Sequence, residues 1–349
     1  MTIEILAGAK ALHHIQNKGL QPQDIELMVG ASGGPKWLIL SRLDQYLAEH
    51  FLPKATQSID LVGSSIGSWR MACYAQKDPL AAFKAFESIY MHQRYETLNP
   101  QEITEFVNLV LDTIFDDEQS EFIVTNEKRR LHVVAVRNRF LMNGRSNVSQ
   151  TLGLLTAATG NLLSSKVVEA LYPRVLISQG GSHAPYHERP EIIELGVHNL
   201  HGALVASGAI PMALEPIKVA GGKDRWHWDG GMVDYHFAGP FNAQKGLVFY
   251  PHFSPKVVPG WFDKAIPWRR AKAKNYENVV MVVPSQKFID SLPYGKIPDR
   301  KDFIKMDDIQ RESYWQNVLS ATDRLVADFH QKWHKDQFAS AVKPIEVIL

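Results

Sequence analysis

The chain has 349 residues and nearly balanced charge, with 38 Lys and Arg residues against 37 Asp and Glu residues. This balance excludes a protein that binds nucleic acid through its overall charge, and the single cysteine, Cys73, excludes an intrachain disulfide. The N-terminus lacks a basic start followed by a long apolar run, and no stretch has the ~18 apolar residues of a membrane span. We therefore expect a cytoplasmic protein.

Strands and helices alternate along the chain. Residues 25–29 form an apolar run typical of a buried strand, followed by a glycine-rich loop at 30–34 and a helix with Leu40, Leu43 and Leu47 on its apolar face. Such a loop presents backbone N–H groups at the positive end of a helix dipole, where they can hold a phosphate or a developing oxyanion. The endings typical of phosphate-binding and dinucleotide-binding loops are absent, which favours the oxyanion.

The next apolar run ends in Gly63-Ser64-Ser65-Ile66-Gly67, which has the Gly-x-Ser-x-Gly form of a nucleophile elbow. Glycines two residues before and after the serine permit a sharp turn that lifts its hydroxyl toward a substrate. Ser65 is therefore the candidate nucleophile of a serine hydrolase. The same residues also fit an ordinary turn between a strand and a helix.

Further elements follow this turn. Asp78-Pro79 and Asn99-Pro100 each place a capping residue before a proline, which predicts two helices that form a cap or flank. Residues 308–334 have the pattern of one or two amphipathic helices. Four apolar, β-branched runs predict strands buried on both faces of a sheet, at 131–136, 174–178, 246–250 and 278–283.

Two later blocks, Ala206-Ser207-Gly208-Ala209-Ile210-Pro211 and Trp228-Asp229-Gly230-Gly231, complete an ordered set of four motifs. The glycine-rich loop, the Gly-x-Ser-x-Gly turn, the Ala-Ser-x-Ala-x-Pro segment and the Asp-Gly-Gly motif together resemble the patatin-like phospholipase family, in a divergent, bacterial-type form. The resemblance covers roughly residues 23–235. It implies a three-layer α/β/α sandwich with a mostly parallel central sheet. We expect residues 1–349 to form a single domain, with 236–349 completing the strands, loops and flanking helices.

The resemblance also implies the roles of individual residues. Ser65 is then the nucleophile and Asp229 its catalytic partner in a Ser-Asp dyad. The amides of Gly33 and Gly34 are then the oxyanion donors. Lipid esters are the implied substrates.

Two neighbours of that loop depart from the family pattern. Lys36 stands where an arginine is usual, so a positive charge persists without the bidentate fork of a guanidinium. Trp37 replaces a glycine. We predict that both side chains contact the substrate, with Trp37 forming a wall of the acyl pocket. A core position in the first helical turn is the alternative for Trp37.

General chemistry also supports Asp229 as a base, independently of the resemblance. A serine hydroxyl is a weak nucleophile at neutral pH and needs a base within hydrogen-bond reach. Trp226, Trp228 and two glycines surround Asp229, which predicts a close-packed, apolar setting that raises the pKa of its carboxyl group. An Asp before Gly-Gly is also a common turn sequence.

The fourteen histidines leave a Ser-His-Asp triad as an alternative. In the chain order of α/β-hydrolases the histidine comes last, which restricts the base to His236, His252, His330 and His334. His252 directly follows a predicted strand and fits best. A loop position at the rim of the site is its other interpretation.

A metal site is the remaining histidine hypothesis. His227, Asp229, Asp234 and His236 are close in sequence, but they form neither a His-x-x-x-His pair nor a His-Glu-x-x-His helix. We therefore expect no metal and no other cofactor. His183 and His187 fall in a predicted surface loop.

The resemblance implies hydrolysis of a carboxylic ester of a lipid, of the phospholipase A or lysophospholipase type, through an acyl-enzyme intermediate. One alternative is an esterase or polyester depolymerase acting on short acyl chains. Another is a non-catalytic lipid-binding or scaffold protein, against which the intact Ser65 and Asp229 argue. The expected partner is a lipid or acyl-ester substrate, not nucleic acid.

Residues 261–274 place Trp261, Phe262, Ile266 and Trp268 among five basic residues and one acid. Aromatic and basic side chains together suit the boundary between lipid head groups and acyl chains. This pattern predicts peripheral contact with an anionic membrane surface. The alternative is a solvated loop whose aromatic side chains pack on the core.

Overall fold

The computed structural model describes residues 1–180, 185–186, 190–243, 245–335 and 337–348. His183 and His187, which fall in a predicted surface loop, lie outside these residues. The strands of the described ranges are β1 (Ile3–Ala7), β2 (Ile25–Gly30), β3 (Ile59–Ser64), β4 (Arg129–Arg137), β5 (Arg174–Ser178), β6 (Glu191–Glu194), β7 (His227–Asp229), β8 (Leu247–Pro251), β9 (Val279–Pro284) and β10 (Val342–Pro344). The α-helices are α1 (Ala9–Lys18), α2 (Ser41–Tyr46), α3 (Ile66–Ala75), α4 (Pro79–Met91), α5 (Pro100–Ile114), α6 (Asp117–Thr125), α7 (Asn147–Leu163), α8 (Ser165–Leu171), α9 (Val197–Gly208), α10 (Gln286–Asp290), α11 (Asp302–Lys305), α12 (Asp308–His334) and α13 (Phe338–Ala341).

All of these strands belong to one sheet, in the order β10-β1-β9-β8-β2-β3-β4-β5-β6, with β7 paired to one end of β4. The central run from β9 through β8, β2 and β3 to β4 is parallel, whereas β9 and β4 each have an antiparallel partner on their outer side. Every residue of β3, β8 and β9 is buried, so both faces of the sheet are covered there. The predicted α/β sandwich with a mostly parallel central sheet is confirmed.

The helix starts predicted from capping residues agree with the structure. The Asp78 carboxylate accepts the Ala81 N–H at 3.0 Å at the start of α4, and the Asn99 side chain accepts the Glu102 N–H at 2.9 Å at the start of α5. The C-terminal amphipathic stretch is one long helix, α12. In the described part of the chain, no helix combines the length and the apolar character needed to cross a bilayer.

The segment after the glycine-rich loop differs from the regular helix that the leucine spacing predicts. It begins as a 3-10 helix at Gly34–Leu40, continues as α2 and then becomes a short π-helix at Leu47–Phe51. Leu40, Leu43 and Leu47 are buried as predicted. The segment starts with Gly34 at φ 55°, outside the α-helical region, and 3-10 turns are frequent at helix termini.

Candidate active site

The glycine-rich loop and the serine turn leave the sheet at the same edge, because β2 and β3 are adjacent parallel strands with Gly30 paired to Gly63. The glycines allow the two turns to touch. A Cβ atom at Gly67 would overlap the carbonyl oxygen of Gly30, and one at Gly63 would overlap the backbone of Ser68. The spacing of Gly-x-Ser-x-Gly therefore has a steric cause in this fold.

Ser65 adopts a strained backbone conformation, with φ 55° and ψ −132°. Side chains other than glycine rarely occupy that region, and such strain is typical of a nucleophile elbow. The turn is held from two sides. The Ser65 N–H donates to Ser207 Oγ at 2.8 Å, the Ser207 hydroxyl donates to Val134 O at 2.6 Å, and the Ser68 hydroxyl donates to Ser65 O at 2.7 Å. Ser207 belongs to the third sequence motif, and its position shows that this motif supports the elbow.

Ser65 and Asp229 meet although 164 positions separate them in the chain. The Ser65 hydroxyl donates to Asp229 Oδ2 at 2.8 Å. The carboxylate is fixed by the Gly231 N–H, which donates to its Oδ1 at 2.6 Å, and by its own N–H, which donates to Ala209 O at 2.9 Å. Both members of the predicted dyad are buried.

Burial raises the pKa of the Asp229 carboxyl group above its ordinary value, as the surrounding sequence predicts. The positive charge of Arg300 and the hydrogen bonds from Ser65 and Gly231 act in the opposite direction and limit the rise in pKa. A carboxylate with a raised pKa is a stronger base. The site therefore holds a serine hydroxyl against a carboxylate that can accept its proton.

The amides of Gly33 and Gly34 are available to a ligand. Neither N–H donates to any of the described residues, whereas the Ser65 N–H is occupied by Ser207. Gly34 has φ 55°, in the left-handed region that favours glycine. Gly33 lines a cavity that contains Asp229, and Gly34 lines a second cavity that contains Ser65. These two amides can serve as an oxyanion hole.

The two cavities differ in chemistry and meet at the dyad. The cavity at Ser65 has a volume of about 270 Å³ and an apolar lining that includes Ile66, Trp69, Tyr90, Tyr95, Ile103, Phe106, Leu214 and Phe303. The cavity at Asp229 has a volume of about 370 Å³ and is cationic, since Lys36, Lys264, Arg300 and Lys301 line it together with Asp229 and Asp299. Ile210 and Arg300 line both cavities.

Lys36 lies in the cationic cavity, where it contacts a tyrosine that the sequence did not indicate. Its ammonium group donates to Tyr235 Oη at 3.3 Å, and Lys264 Nζ lies 3.8 Å from the centroid of the Tyr235 ring. Burial alone would raise the pKa of Tyr235, but the two ammonium groups outweigh burial and lower it. The three side chains form one polar wall of the cavity.

Arg300 is a second site residue that sequence reasoning missed. Its Nε would lie 3.0 Å from a Cβ atom at Gly34, so the guanidinium lies against the glycine-rich loop. Within the described ranges the guanidinium forms no hydrogen bond or ion pair. Arg300 lies in an irregular segment before α11, where no motif or periodicity signals its role.

Trp37 does not wall the acyl pocket. Its buried ring stacks on Phe86 at 4.2 Å between centroids and meets Tyr90 edge to face at 5.6 Å. Trp37 lines neither cavity, whereas Tyr90, which its ring contacts, lines the apolar one. The core interpretation of Trp37 is correct, since its ring is buried and packs on Phe86 and Tyr90.

The structure contradicts both interpretations of His252. The side chain is buried rather than at the rim, its Nδ1 lies 2.5 Å from Ser254 O, and it lines neither cavity. Burial lowers its pKa to about 3. Ser65 Oγ has Asp229 as its partner instead. In the described ranges, no group of three or more His, Cys, Asp or Glu side chains is arranged to hold a metal ion.

The sequence matches no model of a known protein family, and no curated protein matches it. Among solved structures, human GIVD cytosolic phospholipase A2 is similar at 11% sequence identity and a TM-score of 0.39, over 95% of this chain and 62% of that one. This chain thus spans about three fifths of the length of that protein. At this level the similarity carries no argument about function.

Proposed function

We propose that the protein is a serine hydrolase that cleaves a carboxylic ester of a lipid through a Ser65-Asp229 dyad. The hydrogen bond of 2.8 Å between Ser65 Oγ and Asp229 Oδ2, formed in a strained turn where two cavities meet, carries this proposal. A non-catalytic scaffold requires neither the strain nor a buried carboxylate with a raised pKa. Both features are typical of catalytic sites.

The reaction follows from the positions of these groups. Asp229 takes the hydroxyl proton as Ser65 Oγ attacks the ester carbon, and the N–H groups of Gly33 and Gly34 donate to the oxyanion of the tetrahedral intermediate. The ester C–O bond then breaks, the leaving oxygen takes the proton from Asp229, and the acyl group remains on Ser65. Water attacks this acyl-enzyme with Asp229 again as the base, which releases the acid and restores the hydroxyl.

The two cavities favour an amphipathic ester. The apolar cavity at Ser65 suits an acyl chain, whereas the cationic cavity suits an anionic leaving group such as the phosphate-bearing part of a phospholipid or lysophospholipid. Lys36 and Arg300 are placed to bind that anion. A short-chain ester or a storage polyester carries no such charge. Neither alternative substrate accounts for four basic side chains around one cavity.

A fluorophosphonate probe is expected to label Ser65 covalently, because these reagents need an activated serine beside an oxyanion hole. Mass spectrometry of the labelled peptide identifies the modified residue. Ser65→Ala should abolish labelling, whereas Ser64→Ala, the matched change one residue earlier, should retain it. Labelling at another serine, or none at all, would contradict the proposed nucleophile.

Arg300→Gln is expected to move the acid limb of the pH profile of kcat/KM to higher pH. Asp229 must be ionised to act as a base, so activity falls as pH drops through its pKa. The cation of Arg300 lowers that pKa, and its removal therefore raises it. The profile is measured with a neutral, soluble p-nitrophenyl ester, so that substrate charge does not contribute.

Lys301→Gln is the matched control for this shift. Lys301 lines the same cavity, but its charge is not among the principal causes of the pKa shift of Asp229. The control should leave the acid limb in place. Equal shifts in both variants, or no shift in Arg300→Gln, would show that Asp229 is not the group that controls the acid limb.

A further inference from the structure

Helix α7 lies at the surface and exposes several large apolar side chains among a few uncharged polar ones. None of its residues is charged. Gly153 and Ala157 lie on its buried face, but large apolar side chains also cover its outer face: Val148, Leu152, Leu155, Leu162 and Leu163 are 71%, 54%, 58%, 65% and 86% exposed. A surface helix normally carries charged residues on its outer side, and a contiguous exposed apolar patch marks an interaction site.

The segment 261–269 packs beside α7 and extends this patch. A groove runs between them, lined by Leu154, Leu155 and Ala158 on one side and by Trp261, Phe262 and Ala265 on the other. Trp268, which is 75% exposed, directly precedes Arg269, whose guanidinium donates to Asn161 of the same helix. We call the exposed side chains of Val148, Leu152, Leu155, Leu162, Leu163, Trp261 and Trp268 the α7 surface.

A buried polar clamp fixes the two parts of the α7 surface to each other. The Asn161 side chain donates to Asp263 Oδ1 at 2.8 Å, and the Arg269 guanidinium donates to Asn161 Oδ1 at 2.7 Å and to Asp263 Oδ1 at 2.9 Å. Trp268 is therefore held beside the C-terminal half of α7. Of the apolar residues predicted to face lipid, Ile266 is instead buried. Arg269 belongs to the clamp rather than to the surface.

Basic residues outnumber acidic ones in the segments that carry and flank the α7 surface. Residues 138–169 and 256–274 contain nine basic residues and two acids, Glu169 and Asp263, and Arg269 neutralises Asp263 within the clamp. Six of the basic residues are exposed and have no acidic partner within the described ranges: Arg139, Lys166, Lys256, Arg270, Lys272 and Lys274. An apolar patch whose flanking segments carry unpaired basic side chains complements an anionic lipid surface. It does not complement a second copy, whose own basic side chains would repel these.

The α7 surface is also continuous with the catalytic cavity. Trp261 and Lys264 line both the groove beside α7 and the cationic cavity that contains Asp229. We propose that the α7 surface inserts into the outer layer of an anionic lipid assembly and places the mouth of the catalytic cavity on that layer. A lipid then reaches Ser65 without crossing water. The docking step rests on the α7 surface alone, whereas its use in catalysis rests on the proposed function.

Binding is tested by sedimentation with vesicles of equimolar phosphatidylcholine and phosphatidylglycerol. All proteins carry Ser65→Ala, so that hydrolysis plays no part in the result. Leu155→Gln/Leu163→Gln should lower the partition coefficient by about tenfold or more, because two leucine side chains no longer enter the acyl region. Leu109→Gln/Ile309→Gln is the matched control: these residues are 58% and 79% exposed but lie on α5 and α12, and their replacement should leave binding unchanged.

A second variant tests the unpaired basic side chains and leaves the clamp of Asn161, Asp263 and Arg269 intact. Arg270→Gln/Lys272→Gln/Lys274→Gln should weaken binding to the anionic vesicles, and added salt should weaken binding of the parent in the same way. Unchanged binding in both the leucine and the charge variants would overturn the proposal. A second outcome would also overturn it. In that outcome the parent does not bind vesicles but forms a dimer, seen by sedimentation velocity, and Leu155→Gln/Leu163→Gln dissociates the dimer. A protein that binds vesicles through this surface but hydrolyses no ester would refute the proposed function and leave the docking surface standing.

Discussion

Asp229→Asn is expected to lower kcat by ~10²–10⁴-fold, the usual contribution of general-base catalysis. The amide has nearly the shape of the carboxylate and can still accept the Gly231 N–H through its oxygen, but it cannot take a proton from Ser65 Oγ. Steady-state kinetics on a soluble p-nitrophenyl ester measure the loss. Because the hydrogen bond to Ser65 exists before substrate binds, the effect should fall on kcat far more than on KM.

Asp229→Asn is also expected to change the thermal stability of the protein in a definite direction. The pKa of Asp229 is raised in the folded protein, so the folded state holds this proton more tightly than the unfolded state. The corresponding stabilisation is present at low pH and is lost as pH rises through the folded pKa. At neutral pH the ionised carboxylate therefore opposes folding, and Asp229→Asn should have a Tm equal to or above that of the parent, measured by thermal unfolding in circular dichroism.

His252→Asn is the comparison that separates a dyad from a triad. The Asn side chain places a polar atom near the position of His252 Nδ1 and keeps a contact to Ser254. It should change kcat much less than Asp229→Asn, once its folding has been checked by the same thermal unfolding. The opposite ranking, with the histidine variant nearly inactive and Asp229→Asn mildly affected, would refute the dyad.

Local backbone demands explain which parts of the site the sequence could predict. Gly63, Ser65 and Gly67 are readable as a motif because the turn permits no Cβ atom at its two glycines. Gly34 is readable for a similar reason, since its φ of 55° lies in the left-handed region. Asp229 precedes two glycines that allow its carboxylate to accept the Gly231 N–H. Each of these signals spans only a few adjacent residues.

The residues that the sequence did not indicate act across long separations. Arg300 reaches the glycine-rich loop from an irregular segment near the C-terminal helices, and Tyr235 contacts Lys36 from 199 positions away. Nothing in their own neighbourhoods requires an arginine or a tyrosine, so only the folded chain shows their role. Trp37 is the reverse case, because its place beside the glycine-rich loop suggests a pocket wall whereas packing on Phe86 takes it into the core.

The sequence does not predict helix α7, because its residues show no contrast between a charged face and an apolar face. A predicted helix is recognised by apolar residues that alternate with charged ones at a period of 3.6, and the residues of α7 include none that is charged. The strands of the central sheet are recognised without such contrast because they are short and β-branched. The property that hides α7 from pattern analysis is the one that makes its exposed side chains a candidate docking surface.

Gly34→Ala is expected to lower kcat by ~10²–10³-fold, the usual cost of losing one oxyanion donor. The backbone of Gly34 has φ 55°, where an alanine is strained, and the new Cβ atom would stand 3.0 Å from Arg300 Nε. Both effects turn the peptide away from its present direction, so its N–H no longer points toward the oxyanion. KM should change much less than kcat, because the donor acts on a charge that develops only during the reaction.

The control for Gly34→Ala separates backbone strain from the loss of a catalytic donor. Gly180 has a similar left-handed conformation, with φ 80°, and a Cβ atom there would meet nothing within 4 Å. Gly180→Ala should lower the Tm by an amount comparable to that in Gly34→Ala and leave kcat unchanged. If Gly34→Ala loses stability but keeps its kcat, the amides of the glycine-rich loop do not stabilise the oxyanion. The donors must then be sought elsewhere around Ser65, although the Ser65 N–H itself is already bound to Ser207.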